Sequence, residues 1–409
     1  MKKYGLLGEK LGHSYSPEIH ASLGDYDYKL YECPQEELES FVKSGDLDGF
    51  NVTIPYKKAV IPFCDILSPT ARAIGSVNTV IRKPDGTLYG DNTDAYGFES
   101  LIVHSKIPVA GEKAVVLGSG GASVTVCAVL KALNAASVRV LSRNGRAHYG
   151  ALDEYKDCEI IVNATPVGMY PNNGAAAVDL GDFPKCEGVF DLVYNPARTA
   201  LMLAAEKRAI PNAGGLYMLV AQAKRSAELF TGQSIADDEI GRIYTDLAGK
   251  MQNIILIGMP GCGKSAVARW LGALMGREVV DCDEYLERME NASCEKIINA
   301  FGEKIFRERE TAALKELGKR SGLIIATGGG CVTREENYNL LHQNGVIVYL
   351  ERDIDKLPTA GRPLSEKEGL HALYARRAPL YSRFADITAD NNGDIEETVA
   401  YIAKALKTV

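Results

Sequence analysis

No stretch of the 409-residue chain reaches the roughly 18 uninterrupted apolar residues that a membrane span needs, so no membrane-embedded protein is expected. Residues 1–8 carry neither the long apolar core nor the small-residue cleavage site of a secretory signal, which makes the cytoplasm the expected location. The nine cysteines form no CxxC pair and no Cys/His cluster, and the six histidines show no metal-ligand spacing. That pattern speaks against a disulfide framework and a structural zinc site, and predicts reduced core thiols. Repeats, low-complexity tracts and long linkers are missing too. There is also no excess of positive charge: 46 Lys and Arg against 53 Asp and Glu give a net charge of -7. Nucleic acid is therefore not expected as the main partner, and anionic small substrates would need locally placed arginines.

What the chain does have is a globular composition, 46% hydrophobic and 24% charged, over a length that at about 150 residues per domain allows two or three domains. The clearest break falls near 250. There Ile240, Ile243, Tyr244 and Leu247 at helical spacing give way to the buried-strand run Ile254-Ile255-Leu256-Ile257. Upstream, Ala114-Val115-Val116-Leu117 and Val138-Arg139-Val140-Leu141 flank a helical stretch and read as one βαβ unit. The expected division is 1–250 and 251–409. Within the first part, 101–216 form a Rossmann-like lobe, and 1–100 with 217–249 form a second lobe across a cleft.

After the strand at 254 comes Gly258-Met259-Pro260-Gly261-Cys262-Gly263-Lys264-Ser265, opening a helical run. This is a complete phosphate loop: Gly261 and Gly263 let backbone N–H groups surround phosphates, Lys264 supplies a point charge, and Ser265 can hold magnesium. A plain glycine-rich turn is the bland alternative, and the strand-to-helix context speaks against it. Asp281-Cys282-Asp283 follows at the end of an apolar run. Strand alternation predicts both carboxylates on one side, one for magnesium and one for an acceptor hydroxyl. Then come Phe306-Arg307-Glu308-Arg309-Glu310, the triplet Gly328-Gly329-Gly330, Gly361-Arg362-Pro363-Leu364 and Arg377-Ala378-Pro379-Leu380-Tyr381. A glycine triplet after a strand permits close backbone approach to a ligand.

That ordered series resembles the shikimate kinase family over residues 252–409. The resemblance implies ATP as phosphoryl donor and shikimate as acceptor. It implies that Asp283, Arg307, Gly329 and Arg377 bind shikimate, that Lys264, Asp283 and Arg362 act in phosphoryl transfer, and that Ser265 and Asp281 serve Mg2+. Paired guanidinium forks suit a carboxylate, and Arg362 would sit on a lid over ATP. Two departures are visible: the stretch from Arg362 to Arg377 is short for the family, and Ala266 replaces a common threonine.

In the first part, Leu117-Gly118-Ser119-Gly120-Gly121-Ala122-Ser123 is a dinucleotide-type turn, with Ser123 at the third small position. After the next strand stands Ser142-Arg143-Asn144, and an arginine there favours a 2′-phosphate, hence NADP. The remaining blocks are Gly12-His13-Ser14-Tyr15-Ser16-Pro17, Asn51-Val52-Thr53-Ile54-Pro55-Tyr56-Lys57, Gly75-Ser76-Val77-Asn78-Thr79 and Gly90-Asp91-Asn92-Thr93-Asp94. Ketone reduction by hydride needs a proton donor at the forming alcohol, which Lys57 oriented by Asp94 can supply. With Asn163-Ala164-Thr165-Pro166, Asp191-Leu192-Val193-Tyr194-Asn195-Pro196 and Gly215 to Gln222, these blocks resemble the shikimate dehydrogenase family over about residues 4–249. The resemblance implies Lys57 and Asp94 as the catalytic pair and Ser14, Ser16, Thr53, Asn78, Tyr194 and Gln222 as substrate contacts. It further implies Gly118, Gly120, Gly121, Ala122, Arg143 and Thr165 as the NADP(H) site. His13 is expected to shape its loop only. The stretch from Arg143 to Asn163 is short, and Asn144 replaces a usual threonine.

Together the resemblances imply an α/β chain with parallel sheets in both parts: a bilobed dehydrogenase with a Rossmann-like NADP domain, then a P-loop kinase with a three-layer α/β/α core. The two activities would be consecutive, 3-dehydroshikimate to shikimate and shikimate to shikimate 3-phosphate. Other readings are a quinate dehydrogenase fused to the kinase, a non-catalytic shikimate or nucleotide sensor, and a general nucleotide kinase. Ser14 and Ser16 favour shikimate, retention of Lys57, Asp94, Lys264 and Asp283 argues against a sensor, and a nucleotide kinase leaves the first part unexplained. The oligomeric state stays open, a homodimer included.

Overall fold

The computed structural model describes residues 1–12, 14–143, 149–357 and 369–407, so His13, Asn144 and Arg362 lie outside the described residues. The chain forms two compact units, Met1–Tyr194 with Thr199–Asp246, and Leu247–Val409 with Asn195–Arg198. None of the described helices is long and apolar enough to cross a membrane.

The first unit begins with β1 (Lys3–Gly8), α1 (Ser16–Ala21), β2 (Asp27–Glu32), α2 (Leu38–Lys43), β3 (Gly49–Val52), β4 (Ile66–Leu67), α3 (Pro69–Ile74), β5 (Thr79–Arg82) and β6 (Leu88–Asp91). These strands form one sheet in the order β2-β1-β3-β5-β6-β4. This sheet is mixed, and the parallel sheets expected of the two parts are the other two: here β5 runs antiparallel to both β3 and β6. The cause is local: Pro84-Asp85-Gly86 is a tight-turn sequence, Gly86 takes φ 88°, and its N–H donates to the Lys83 carbonyl, closing a hairpin.

Helix α4 (Thr93–Ser105) leads to a second sheet, built from β7 (Lys113–Leu117), α5 (Gly121–Ala132), β8 (Ser137–Leu141), β9 (Ile160–Asn163), β10 (Gly188–Asp191), α6 (Ala200–Lys207) and β11 (Asn212–Gly214). Its order is β11-β10-β9-β7-β8, parallel throughout, and Ala114–Leu117, β9 and β10 are fully buried. Both faces are covered, as such hydrophobic parallel strands require. Only a 3-10 segment (Tyr149–Tyr155) lies between β8 and β9 in the described residues, and the strand order leaves β8 at an edge of the sheet. Helix α7 (Leu216–Thr231) returns against α4, and Gly97 makes the approach possible: a β-carbon there would stand 2.7 Å from the Met218 carbonyl. Helix α8 (Asp238–Met251) follows.

The second unit contains β12 (Asn253–Ile257), α9 (Lys264–Met275), β13 (Val279–Asp281), α10 (Cys282–Glu290), α11 (Cys294–Leu317), β14 (Ile324–Ala326), α12 (Glu336–His342), β15 (Gly345–Glu351), α13 (Leu370–Phe384), β16 (Ile387–Asp390) and α14 (Ile395–Ala405). Its sheet is parallel throughout, ordered β13-β14-β12-β15-β16. Every residue of β12 and the first six of β15 are buried, so helices cover both faces.

Candidate active sites

Lys57 and Asp94 lie far apart in sequence, and the fold of the first unit brings them together. Tyr56 is buried and its hydroxyl donates to the Cys33 carbonyl at 2.6 Å, while Val77 N–H donates to the Lys57 carbonyl at 2.8 Å, so the segment after β3 is fixed from both sides. Asp94 sits in the first turn of α4, whose N-cap Asn92 accepts Ala95 N–H; negative charge is favoured at that end of a helix. Lys57 Nζ donates to Asp94 Oδ2 at 2.7 Å, and Asn78 Nδ2 donates to Asp94 Oδ1 at 2.9 Å.

This pair lines a cavity of about 250 Å³ that also takes in Ser14, Ser16, Thr53, Asn78, Tyr194 and Gln222. All eight substrate and catalytic candidates of the first unit therefore meet in one place. Ser14 Oγ and Ser16 Oγ lie 3.2 Å apart on its wall. Sequence reasoning missed Asn51, which lines the same cavity. Its Nδ2 donates to Ser226 Oγ at 2.8 Å and Thr79 Oγ1 at 3.0 Å, while Oδ1 accepts the Tyr28 hydroxyl at 2.7 Å. Ser226 is on α7, so the signal was not local.

The glycine turn after β7 stands beside this cavity. Gly118 takes φ 105°, and a β-carbon there would meet Thr165 Cγ2 at 2.8 Å; one on Gly121 would sit 3.5 Å from Lys57 Cδ. Gly120 is the N-cap of the twelve-residue α5, and Ala122 lines the cavity. A glycine turn at a helix N-terminus suits a pyrophosphate. The Thr165 hydroxyl donates to Asn163 Oδ1 at 2.7 Å and accepts Val167 N–H at 3.1 Å, bracing the loop after β9. Arg143 is exposed just past the end of β8. Also missed was Asp191: it is buried, accepts from Asn163 Nδ2, Val193 N–H and Thr199 Oγ, and burial pushes its carboxyl up to about 6.

In the second unit the phosphate loop joins β12 to α9, with positive φ at Gly258, Gly261 and Gly263. Lys264 is buried, and its Nζ donates to the Gly258 and Met259 carbonyls at 3.0 Å each, which holds the ammonium over the loop. Ser265 Oγ donates to Asp281 Oδ2 at 2.6 Å. The expectation that Asp281 and Asp283 share one side of a strand is corrected: Asp281 ends β13 and is the N-cap of α10, accepting Asp283 and Glu284 N–H, so Asp283 belongs to the first helical turn. An aspartate before a helix satisfies its free N–H groups, and that ends the alternation. Both carboxylates still line one cavity, of about 580 Å³, with Lys264, Ser265, Arg307, Gly329 and Arg377. Asp283 is exposed to the cavity, and partial desolvation by the protein around it, then Glu310 and Asp281, pushes its carboxyl up to about 6.

Arg307 Nη1 donates to Glu310 Oε2 at 2.8 Å and Nη2 to Glu303 Oε1 at 3.2 Å. Arg377 is 1% exposed; its Nη1 donates to the Gly329 carbonyl at 3.1 Å, while Nε and Nη2 have no partner among the described residues. The glycine triplet makes room for the protein itself. A β-carbon on Gly329 would meet Pro260 at 2.7 Å, and one on Gly330 would overlap the Arg307 guanidinium. Glu287, Ser293, Cys294, Glu295 and Ile298, none singled out from sequence, complete the lining.

Fold and sites define the class: a two-lobed α/β dehydrogenase joined in one chain to a P-loop kinase. The family model for the shikimate dehydrogenase substrate binding domain matches residues 6–80, and that for shikimate kinase matches residues 260–407. The shikimate dehydrogenase (NADP(+)) of Clostridium perfringens strain SM101 is 36% identical over 268 residues, 60% of this chain and 98% of that protein. The solved chorismate mutase/shikimate 5-dehydrogenase fusion protein of Clostridium acetobutylicum is 36% identical, with TM-score 0.58 over 60% of this chain and 97% of that one. The shikimate 5-dehydrogenase of Thermus thermophilus, solved in complex with NADP(H) and shikimate, is 30% identical, with TM-score 0.55 over 60% of this chain and 99% of that one. The chain belongs to the shikimate dehydrogenase family and carries a shikimate kinase domain, two shikimate-pathway enzymes fused into one bifunctional oxidoreductase and kinase.

Proposed function

We infer that the first unit reduces 3-dehydroshikimate to shikimate with NADPH, and that the second phosphorylates shikimate with ATP to shikimate 3-phosphate. The observation that best supports this is the meeting of Lys57 and Asp94, 2.7 Å apart, in a cavity whose lining includes every residue the dehydrogenase resemblance assigns to substrate.

The Gly118–Gly121 turn fits a dinucleotide, since it stands at the N-terminus of the twelve-residue α5 and the space over Gly120 is open. Bound there, NADPH supplies the hydride. Lys57, held by Asp94, gives the proton to the forming alcohol oxygen, and Arg143 takes the 2′-phosphate. Ser14, Ser16, Thr53, Asn78, Tyr194 and Gln222 orient the ring.

In the second unit the N–H groups of Gly261 and Gly263 with Lys264 hold the phosphates, and Asp283 accepts the acceptor's hydroxyl proton. Arg307 and Arg377 take the carboxylate of shikimate; the two free donors of Arg377 fit that role. Ser265 and Asp281 fit magnesium, which characteristically takes one or two protein ligands and completes its shell with water and phosphate. The described residues hold no group of three or more His, Cys, Asp or Glu built as a metal cage. Arg362 is assigned to the lid by resemblance alone, and with metabolites as substrates the cytoplasm is the assigned location.

The test is shikimate-dependent reduction of NADP, with NAD and quinate in parallel, followed by shikimate-dependent release of ADP from ATP. Turnover in both assays is expected. Binding of shikimate or ATP without turnover in either would replace this reading by a sensor, and preference for quinate would change the substrate of the first unit.

A further inference from the structure

The strands on either side of β12 carry different chemistry at their carboxyl ends. On one side β13 and β14 lead into Asp281, Asp283 and the glycine triplet, which line the acceptor cavity. On the other side β15 and β16 lead into Glu351-Arg352-Asp353 and Asp390-Asn391-Asn392. Those two loops are tied together: Asn391 N–H donates to the Glu351 carbonyl and Asp353 N–H to Asn392 Oδ1, both at 2.8 Å. They are also tied to the phosphate loop, because Asn391 Nδ2 donates to the Cys262 carbonyl at 2.6 Å.

Arg352 occupies this corner. A β-carbon built on Gly263 would lie 2.8 Å from Asn391 Nδ2 and 3.7 Å from Arg352 Nη1, so the guanidinium rests against the turn that opens α9. Arg352 Nε is enclosed by protein and has no hydrogen-bond partner among the described residues. The same loops hold Glu351, Asp353, Asp390 and Asp394. An enclosed donor of a half-buried guanidinium that finds no partner among the described residues is costly to the folded chain, which calls for a ligand that meets the cost.

The position says which ligand. A phosphate loop surrounds the β- and γ-phosphates, and the acceptor enters from the cavity that holds Asp283. The rest of a nucleotide must then leave on the opposite side of β12. In open α/β sheets ligands lie across the carboxyl ends of the strands where the order reverses, and β12, between β14 and β15, is that point here.

We propose that Arg352 is a nucleotide-binding residue whose guanidinium contacts a phosphate of ATP on the side of the loop away from the acceptor. This rests on the reading of the second unit as ATP-dependent. The residue belongs to none of the motifs that mark the unit.

The experiment is calorimetric titration of the full chain with β,γ-imido ATP, alongside kinase kinetics, for the wild type, Arg352→Gln and Arg352→Lys. Loss of one charge-assisted hydrogen bond predicts a fall in affinity of about tenfold or more for Arg352→Gln, with the KM for ATP rising in step. The KM for shikimate and the dehydrogenase rate stay unchanged, and Arg352→Lys recovers part of the affinity. Equal affinity in wild type and Arg352→Gln overturns the assignment. So does a parallel rise in the KM for shikimate with loss of thermal stability, which would mark a merely structural role. A wild type that binds no analogue at all removes the ATP reading itself, and the assignment falls with it. In a wild type that binds without turnover, the affinity difference alone decides.

Discussion

Asp283 and Glu310 each turn a carboxylate oxygen toward Gly328: a β-carbon built there would stand 2.9 Å from Asp283 Oδ1 and collide with Glu310 Oε1. Two carboxylates thus crowd one corner of the kinase cavity, and Glu310 is compensated by its ion pair with Arg307. Partial desolvation in the cavity, then the neighbouring carboxylates, holds the Asp283 carboxyl up to about 6.

A proton acceptor works only when ionised, so the kinase rate is expected to fall as pH drops through about 6 and to level off above it. The raised value also means that the native state holds this proton more tightly than the unfolded chain does. Its contribution to stability is therefore present at low pH and lost as pH rises through about 6. Initial rates of ADP release between about pH 5 and 8, at saturating ATP and shikimate, check the first statement. Asp283→Asn should remove the limb along with most of the activity, and an unchanged limb in that variant would assign it to another group.

Each unit holds its own reactive lysine, which predicts separable losses. Lys57→Met should lower dehydrogenase kcat by about 10²–10⁴, the usual worth of a positioned proton donor, and leave phosphorylation intact. Lys264→Ala should do the reverse, by about 10²–10³, as expected for one preorganised charge on a transferring group. Parallel assays on the two purified variants decide. Loss of both activities in either folded variant would contradict independent sites.

Asp191 gathers three donors, Asn163 Nδ2, Val193 N–H and Thr199 Oγ, at 2.9, 3.0 and 2.7 Å. Asp191→Ala would leave all three buried without an acceptor, at about 1 kcal/mol or more each, so a loss of about 3 kcal/mol is expected in denaturant unfolding of the first unit. Asp191→Asn should lose far less, because the amide oxygen keeps two donors and its NH2 can give to the Thr199 hydroxyl. The loops held here carry Thr165 and Tyr194, so the KM values for NADP and shikimate should rise together in the alanine variant.

Much of this was legible in the sequence because it is local. The phosphate loop declares itself through glycine spacing and an apolar strand, and Gly118 through the turn it must make. What escaped was decided by distant partners or by a competing local rule. Asn51 stands inside a recognisable motif, but its role comes from Ser226, 175 residues on. Asp191 shares a motif with Tyr194, while its own partners come from β9 and from the residue before α6. Strand alternation misplaces Asp283, although an aspartate in the position of Asp281, just ahead of a helix, is a capping signal. The antiparallel β5 was missed in the same way, with Pro84-Asp85-Gly86 in plain view.

Arg377 carries the strongest opposition between stability and function. It is 1% exposed, yet Nε and Nη2 find no partner among the described residues, so the folded chain keeps an incompletely satisfied cation in its interior. A group retained at such cost is accounted for by a bound anion, and the cavity it lines is the one that holds Asp283 and Arg307. A buried cation with unpaired donors carries a desolvation cost that an apolar side chain of similar size does not. Arg377→Met should therefore unfold at the same or a higher temperature than the wild type, while the KM for shikimate rises about ten- to a hundredfold, the worth of one charge-assisted contact. The KM for ATP should not follow. Thermal unfolding and the two KM values together test the point: a variant that melts earlier and binds both substrates less well would make Arg377 a structural post, and its open donors would lose their meaning.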